Sequence, residues 1–169
     1  MPNVEIELKY KIKNVGDINK KLKGLGAKYI KEFRCIDTYF LVPDNKKGKK
    51  YLRVREKGNK AELAYHYAVT GIHTDEWEIK IDDTKVAKEI MQKIGHKIDV
   101  IVDKLRKVYE YKNSEIVVDK VKDLGNFIEI ESPNLKELEN IEKLFGFKKS
   151  MRLDKCGYPD MIRGHFIGK

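Results

Sequence analysis

The chain has 169 residues, 41% hydrophobic and 37% charged, with 36 Lys and Arg against 27 Asp and Glu for a net charge of +9. That length and composition fit one domain spanning residues 1–169 with a packed core, and they exclude wholesale disorder. Two cysteines, Cys35 and Cys156, are too few for a disulfide scaffold, no apolar run nears the ~20 residues of a membrane span, and Met1-Pro2-Asn3-Val4-Glu5 opens no signal core, so a soluble cytoplasmic protein with no membrane partner is expected.

Residues 4–12 alternate strictly: Val4, Ile6, Leu8, Tyr10 and Ile12 share one face, and Glu5, Glu7, Lys9 and Lys11 the other, which predicts a strand. Val15, Ile18, Leu22 and Leu25 then recur at helical spacing, with Asp17 near the start and Gly24 and Gly26 at the end. Residues 29–42 read as another strand pair or an extended segment through Asp37-Thr38-Tyr39-Phe40-Leu41, and Pro43-Asp44-Asn45 opens a lysine-rich loop that runs through Lys46, Lys47 and Lys49 to Lys50. Tyr51 to Glu56 is a strand with Leu52 and Val54 opposite Arg53 and Arg55. Glu62 to Val69 is another, Thr70-Gly71 turns, and Glu76 to Ile81 sets Trp77, Ile79 and Ile81 opposite Glu76, Glu78 and Lys80. A helix over 83–94, capped by Asp82 or Asp83, carries Val86, Ile90, Met91 and Ile94 as its apolar stripe. Val100 to Tyr111, Glu115 to Val121 and Asn126 to Glu131 predict three more strands, and a helix near 134–145 ends at Gly146.

One unit recurs along the chain. Glu5-Ile6-Glu7-Leu8-Lys9 precedes a helix closing on Gly26-Ala27-Lys28, Glu76-Trp77-Glu78-Ile79-Lys80 one closing on Gly95-His96-Lys97, and Phe127-Ile128-Glu129-Ile130-Glu131 one closing on Gly146-Phe147-Lys148. Three copies of strand, helix and Gly-x-Lys suggest antiparallel strands interleaved with helices.

A basic balance suits nucleic acid, an acidic membrane surface or a small polyanion. Lysines such as Lys20, Lys21 and Lys23 read as solvated surface, and RNA binding by net charge, without a recognised motif, ranks last among the partners. The unusual charges lie on strands. One face of each strand collects Glu5, Glu7 and Lys9; Arg53 and Arg55; Glu76, Glu78 and Lys80; Lys104 and Arg106; Asp119; Glu129 and Glu131. Helices with apolar stripes must pack on the opposite, apolar faces. The fold expected is therefore α+β: a closed antiparallel eight-stranded β-barrel, about the size that holds side chains or one small ligand, with helices packed outside and charges facing the lumen. Carboxylates at spacing two suit a hard cation such as Mg²⁺ or Mn²⁺. Arg and Lys on facing strands suit phosphate oxygens.

In order along the chain, these residues resemble the CYTH superfamily, the triphosphate tunnel metalloenzymes, and most closely its class IV adenylyl cyclase-like branch. Glu5-Ile6-Glu7-Leu8-Lys9 matches its Glu-x-Glu-x-Lys strand. Asp37-Thr38-Tyr39, Leu52-Arg53-Val54-Arg55, Lys104-Leu105-Arg106-Lys107-Val108-Tyr109 and Leu124-Gly125-Asn126-Phe127-Ile128-Glu129-Ile130-Glu131 match later segments, and Tyr158-Pro159-Asp160-Met161-Ile162 is similar to the cyclase-like ending. The resemblance implies Glu5, Glu7, Glu129 and Glu131 as metal ligands with Asp119 beside them, and Lys9, Arg53, Arg55, Lys104 and Arg106 as the phosphate-binding set. Tyr39 would help to position an attacking water, with Lys9 and His66 as further catalytic candidates. It also implies a metal-dependent enzyme acting on ATP, tripolyphosphate or thiamine triphosphate. The products would be cyclic AMP and pyrophosphate, or orthophosphate if water attacks. A homodimer is common among cyclase-like relatives.

Two positions depart from the family pattern. Its Leu-x-x-Lys strand is Leu63-Ala64-Tyr65-His66 here, and its Arg-x-Glu-x-Glu strand is Thr74-Asp75-Glu76-Trp77-Glu78. Each change removes a cation, so a protein that binds triphosphates without turnover is the remaining alternative. Cys35 and Cys156 read as buried or inert, His73, His96 and His165 as loop or surface histidines, and Tyr65, Tyr67 and Trp77 as packing residues.

Overall fold

The alternating segment at the start of the chain forms β1 (Asn3–Ile12), and Asn14 then caps α1 (Val15–Gly24) by accepting a hydrogen bond from the Gly16 amide. The computed structural model describes residues 2–45, 49–153 and 156–164. Next come β2 (Lys28–Phe40), β3 (Lys50–Lys57), β4 (Lys60–Ala68), β5 (His73–Ile81) and α2 (Thr84–Lys93). They are followed by β6 (Ile98–Tyr111), β7 (Ser114–Val121), β8 (Gly125–Glu131), α3 (Leu135–Phe145) and the short α4 (Tyr158–Ile162). The strands close into a barrel in the order β1-β5-β4-β3-β2-β6-β7-β8, with every pair antiparallel. The expected α+β barrel is the fold observed.

The recurring strand–helix–Gly unit has a physical basis. β1, β5 and β8 each feed α1, α2 and α3, and Gly26, Gly95 and Gly146 follow those helices at φ of 72°, 103° and 71°, the left-handed region that glycine enters without a steric cost. Asp83 is the residue that caps α2, accepting from the Val86 amide, and Asn134 caps α3 by accepting from Glu137.

The main apolar core lies outside the barrel wall. Leu8, Tyr10 and Ile12 of β1, Ile116 and Val118 of β7, and Ile128 and Ile130 of β8 point outward under Ile18 and Leu22 of α1 and Leu138, Ile141 and Phe145 of α3. Covering that wall with helices turns the other face of the same strands inward. A second cluster joins Tyr39, Val102, Val121 and Phe127 to Tyr158 and Met161 of α4, which seats against the barrel. Tyr51 donates to Asp160 at 2.7 Å, and Arg163 bonds both Asp160 and Asp99, so polar contacts hold α4 at that end.

Several expectations need correction. Residues 28–40 form one long strand, not a strand pair, bulged between Tyr29 and Lys31, and α4 (Tyr158–Ile162) is a helix that the residue pattern does not announce. The apolar stripe of α2 was expected to pack down, yet Val86, Ile90 and Ile94 stay 47%, 50% and 64% exposed. That helix leans on β3 and β4, tied by Lys88 to Glu56, and leaves the outer face of β5 open at Trp77 and Ile79. Tyr65 packs against Trp77 on this outer wall, ring centroids 5.9 Å apart. His96 is half-buried with its Nδ1 against the Leu41 carbonyl, and Cys35 is buried while Cys156 is half-buried. Lys46, Lys47 and His165 lie outside the described residues. Among those described, no helix is long and apolar enough to cross a membrane.

Leu138 is fully buried between α3 and the barrel wall. Leu138→Ala is expected to cost about 2–5 kcal/mol of folding stability, measured by urea denaturation. A loss well under 1 kcal/mol would mean that α3 does not carry this core.

A charged tunnel as the candidate active site

Alternation dictates which side chains line the lumen. Odd residues of β1 and β3 and even residues of β4 and β5 face a cavity of about 620 Å³, within the usual range for a small-ligand site. Every predicted site residue but Asp119 lines it, namely Glu5, Glu7, Lys9, Tyr39, Arg53, Arg55, His66, Lys104, Arg106, Glu129 and Glu131. Asp119 is fully buried behind Arg106.

The cations form one network with buried carboxylates. Asp37 faces Arg55 across the β2–β3 ladder, and the guanidinium forks onto it at 2.6 and 2.8 Å. Arg106 faces Asp119 across β6–β7 and forks onto it at 2.8 and 2.6 Å, with a third bond to Glu129 at 2.5 Å. The Lys104 ammonium sits between the two aspartates, 3.4 Å from Asp37 and 3.6 Å from Asp119. Lys9 reaches Glu129 at 3.2 Å and Glu7 at 3.4 Å. Tyr158 of α4 donates to Asp119 at 3.0 Å, and the Lys9 and Lys104 ammonium groups lie 4.7 and 4.9 Å from its ring centroid.

These contacts set the charge states. Burial alone would push the Asp37 carboxyl up, but Arg55 and then Lys104 hold it well below the usual carboxylate range. Burial is likewise overcome at Glu129 by Lys9 and Arg106, which hold that carboxyl down. Burial opposes the charge of Arg106, yet Asp119 and Glu129 push its pKa well above the ordinary value. Arg53 is held more loosely: its Nη2 is 3.5 Å from Glu62, whose other oxygen meets Lys57.

The opposite wall has an excess of carboxylates. Burial, followed by Glu76, Glu131 and Glu7, pushes the Glu5 carboxyl up to about 10. Burial, followed by Glu115 and Glu7, pushes Glu131 up to about 7. Among the described residues neither has a cation within 4.0 Å, and no group of three or more His, Cys, Asp or Glu side chains is drawn together tightly enough to hold an ion as placed. The chemistry still fits a hard divalent cation, because buried carboxylates that must otherwise retain protons are oxygen donors in search of positive charge. Glu5, Glu7 and Glu131 are the residues that suit it. Glu129, like Glu7, also meets Lys9, and Asp119 is forked by Arg106. Glu76 is turned toward the His66 Nδ1.

The family-model comparison matches the CYTH domain over residues 3–154. The chain belongs to the CYTH family. Members of this family process triphosphates. A Methanocaldococcus jannaschii protein, whose name marks it a candidate adenylate cyclase, is 28% identical over 160 residues, covering 90% of this chain and 91% of its own length. Two solved structures are closely similar. A Pyrococcus horikoshii OT3 protein superposes with a TM-score of 0.85 at 28% identity, over 92% of this chain and 98% of its own. A conserved hypothetical protein of Pyrococcus furiosus gives 0.84 at 26%, over 92% and 98%.

Three further residues of this CYTH protein join the network beside the predicted ones. Asp37, Glu62 and Tyr158 build the site, yet only Asp37 and Glu62 carried a signal, lying on the inward parity of their strands with Tyr39 and His66. Nothing in the local pattern around Tyr158 places it beside Asp119.

The raised carboxyls fix the direction of a pH effect. A carboxyl that binds its proton more tightly folded than unfolded makes stability fall as pH climbs from the ordinary value toward the folded one. Glu5, lifted from 4.5 to about 10, spans the range above neutrality. The melting temperature is therefore expected to fall between pH 6.5 and 8.5, and Glu5→Gln to flatten that fall. Added Mg²⁺ should raise it more at the higher pH. A flat wild-type profile with no metal effect would sink the assignment of this wall.

Proposed function

We propose that the tunnel performs metal-dependent chemistry on triphosphates, with the cyclase reaction, ATP to cyclic AMP and pyrophosphate, as the leading form. The observation that carries this reading is the division of one enclosed lumen into a cationic network and an uncompensated carboxylate wall. A polyphosphate bridged to a divalent metal satisfies both at once. The name of the Methanocaldococcus relative supports the cyclase form.

In this reading Lys9, Arg53, Arg55 and Arg106 bind and orient the phosphates. Phosphoryl chemistry asks mainly for alignment and charge stabilisation. Arg55 and Arg106 are already locked by their carboxylate forks, so their remaining N–H groups need little reordering when the anion arrives. Lys104 lines the same cavity with its ammonium spanning Asp37 and Asp119, and adds positive charge behind the guanidinium groups. Mg²⁺ or Mn²⁺ held by Glu5, Glu7 and Glu131 would neutralise phosphate charge and help to fix the chain of phosphates. Tyr39, 8% exposed and edge-on to Tyr51 at 6.3 Å, packs beside Arg53 and steadies the cationic side.

Cyclisation requires the nucleotide's 3′-hydroxyl to attack the α-phosphate, whereas hydrolysis requires water to attack the terminal one. The purified protein should be incubated with Mg²⁺ or Mn²⁺ and, separately, ATP, tripolyphosphate and thiamine triphosphate. Cyclic AMP from ATP is the expected product. Orthophosphate instead would assign a triphosphatase, and metal-dependent binding with neither product would reduce the protein to a triphosphate binder. Arg106→Ala should lower turnover at least tenfold, because one charge-assisted fork is worth about 1.5–3 kcal/mol. Unchanged turnover would remove Arg106 from the phosphate set.

A further inference from the structure

Buried nitrogen atoms without hydrogen-bond partners are rare in folded proteins and call for an explanation. Among the described residues three side-chain nitrogens are in that state, and two of them, Arg53 Nε and His66 Nε2, belong to residues lining the cavity. They come from neighbouring strands, β3 and β4, where Arg53 pairs with Ala64 and Tyr51 with His66. The other ring nitrogen of His66 is not free. Its Nδ1 meets Glu76 Oε1, directly across the β4–β5 ladder.

The groups around the ring determine its form. Burial, then Arg53 and Arg55 on β3, push the imidazole down to about 2, with Lys104 on β6 acting the same way and Asp37 on β2 opposing. The ring is therefore neutral at physiological pH. A neutral imidazole whose Nδ1 faces a carboxylate carries its proton there, which leaves Nε2 with a bare lone pair. Two cavity-lining residues thus hold unpartnered nitrogens, an N–H donor on Arg53 and an acceptor on His66. The group that matches both is a hydroxyl, whose oxygen accepts and whose hydrogen donates.

We propose that His66 is the general base of this site: its Nε2 takes the proton of the attacking hydroxyl, Arg53 Nε holds that oxygen, and Glu76 orients the ring through Nδ1–H. This rests on the reading of the tunnel as a triphosphate site. In the step, the O–H bond breaks toward Nε2 while the oxygen forms a bond to phosphorus. The bond from phosphorus to the bridging oxygen breaks, and its electron pair stays on the departing phosphate. The proton on His66 then passes to that phosphate or to water. The attacking hydroxyl is water in hydrolysis and the substrate's own hydroxyl in cyclisation. In the empty cavity the facing cations keep the ring a weak base. A polyphosphate seated on Arg53 and Arg55 cancels their charge and restores its basicity, so the substrate itself switches on the base.

The test has two parts. His66→Gln should lower kcat at least a hundredfold, the scale of general-base catalysis, while KM changes less than threefold. Glu76→Gln should lower kcat about tenfold and move the acid limb of the kcat profile to lower pH, as loss of an orienting carboxylate does. Loss of orthophosphate release from tripolyphosphate assigns water as the partner, and loss of cyclic AMP from ATP assigns the substrate hydroxyl; either supports the proposal. Turnover by His66→Gln within twofold of an active wild type would overturn it and leave the triphosphate reading standing. A wild type inert on every substrate would overturn both. Independently of activity, ¹⁵N NMR of the ligand-free wild type at pH 7 should show His66 neutral and protonated at Nδ1. A proton on Nε2 would overturn the proposal even if the variants fail to fold.

Discussion

Everything in this barrel depends on the buried ion-pair chain that runs from Asp37 through Lys104 to Asp119, and on through Arg106 and Glu129 to Lys9. Charges taken out of water are expensive, and a lumen lined with them would be untenable if they were unpaired. The antiparallel register supplies the pairs. Asp37 is set opposite Arg55, Arg106 opposite Asp119, and Lys9 opposite Glu129. A slip of one residue in the β1–β8 ladder would turn its charges into the apolar core under α1 and α3. Closure of the barrel and placement of the site are thus one event.

The network also explains why the cationic side is rigid before any ligand arrives. Asp37 and Asp119 are fully buried and do not compete for the cavity; they aim the guanidinium groups into it. Arg53 differs, with only a 3.5 Å contact to Glu62 and an unpartnered Nε, and is the cation most ready to accept a new partner. On the opposite wall the carboxylates of Glu5 and Glu131 have no such support. Their raised pKa values measure an electrostatic imbalance that the ligand-free fold tolerates by retaining protons. The tunnel is over-determined on one side and incomplete on the other, which is the arrangement expected of a site for a metal-bridged polyanion.

How much of this was legible beforehand follows from the range of each interaction. Strand alternation is local, so β1, β3 and β5 could be read from Glu5-Ile6-Glu7, Arg53-Val54-Arg55 and Glu76-Trp77-Glu78, and the apolar stripes of α1 and α3 settled which face turned inward. The order of strands around the barrel is not local. The pairing of β1 with β5 and of β2 with β6 joins segments far apart in the chain, and no spacing announces it. The family resemblance implies Asp119 and Glu129 on the metal side, and only the register shows that Asp119 also faces Arg106 and Glu129 also faces Lys9. The exposed stripe of α2 has a related cause. Amphipathic spacing states that a helix can bury one face, not that a wall of the right size lies beneath it.

The same register changes the meaning of the two departures from the family pattern. On the sequence alone, His66 for Lys and Thr74 for Arg look like losses from the phosphate-binding set. In the barrel, Thr74 stands opposite Glu5 and His66 opposite Glu76. Both missing cations would have faced carboxylates. An arginine at 74 would have lain beside Glu5, and an ammonium at 66 would have paired with Glu76 as a fixed charge. Their absence leaves the phosphate-facing network of Arg53, Arg55 and Arg106 intact and concentrates uncompensated negative charge on the carboxylate wall. Glu5 then shares its surplus with Glu76, and Glu76 in turn holds the neutral imidazole. The substitutions therefore shift the tunnel toward a stronger demand for a bound cation and put a titratable ring where the family has a permanent charge.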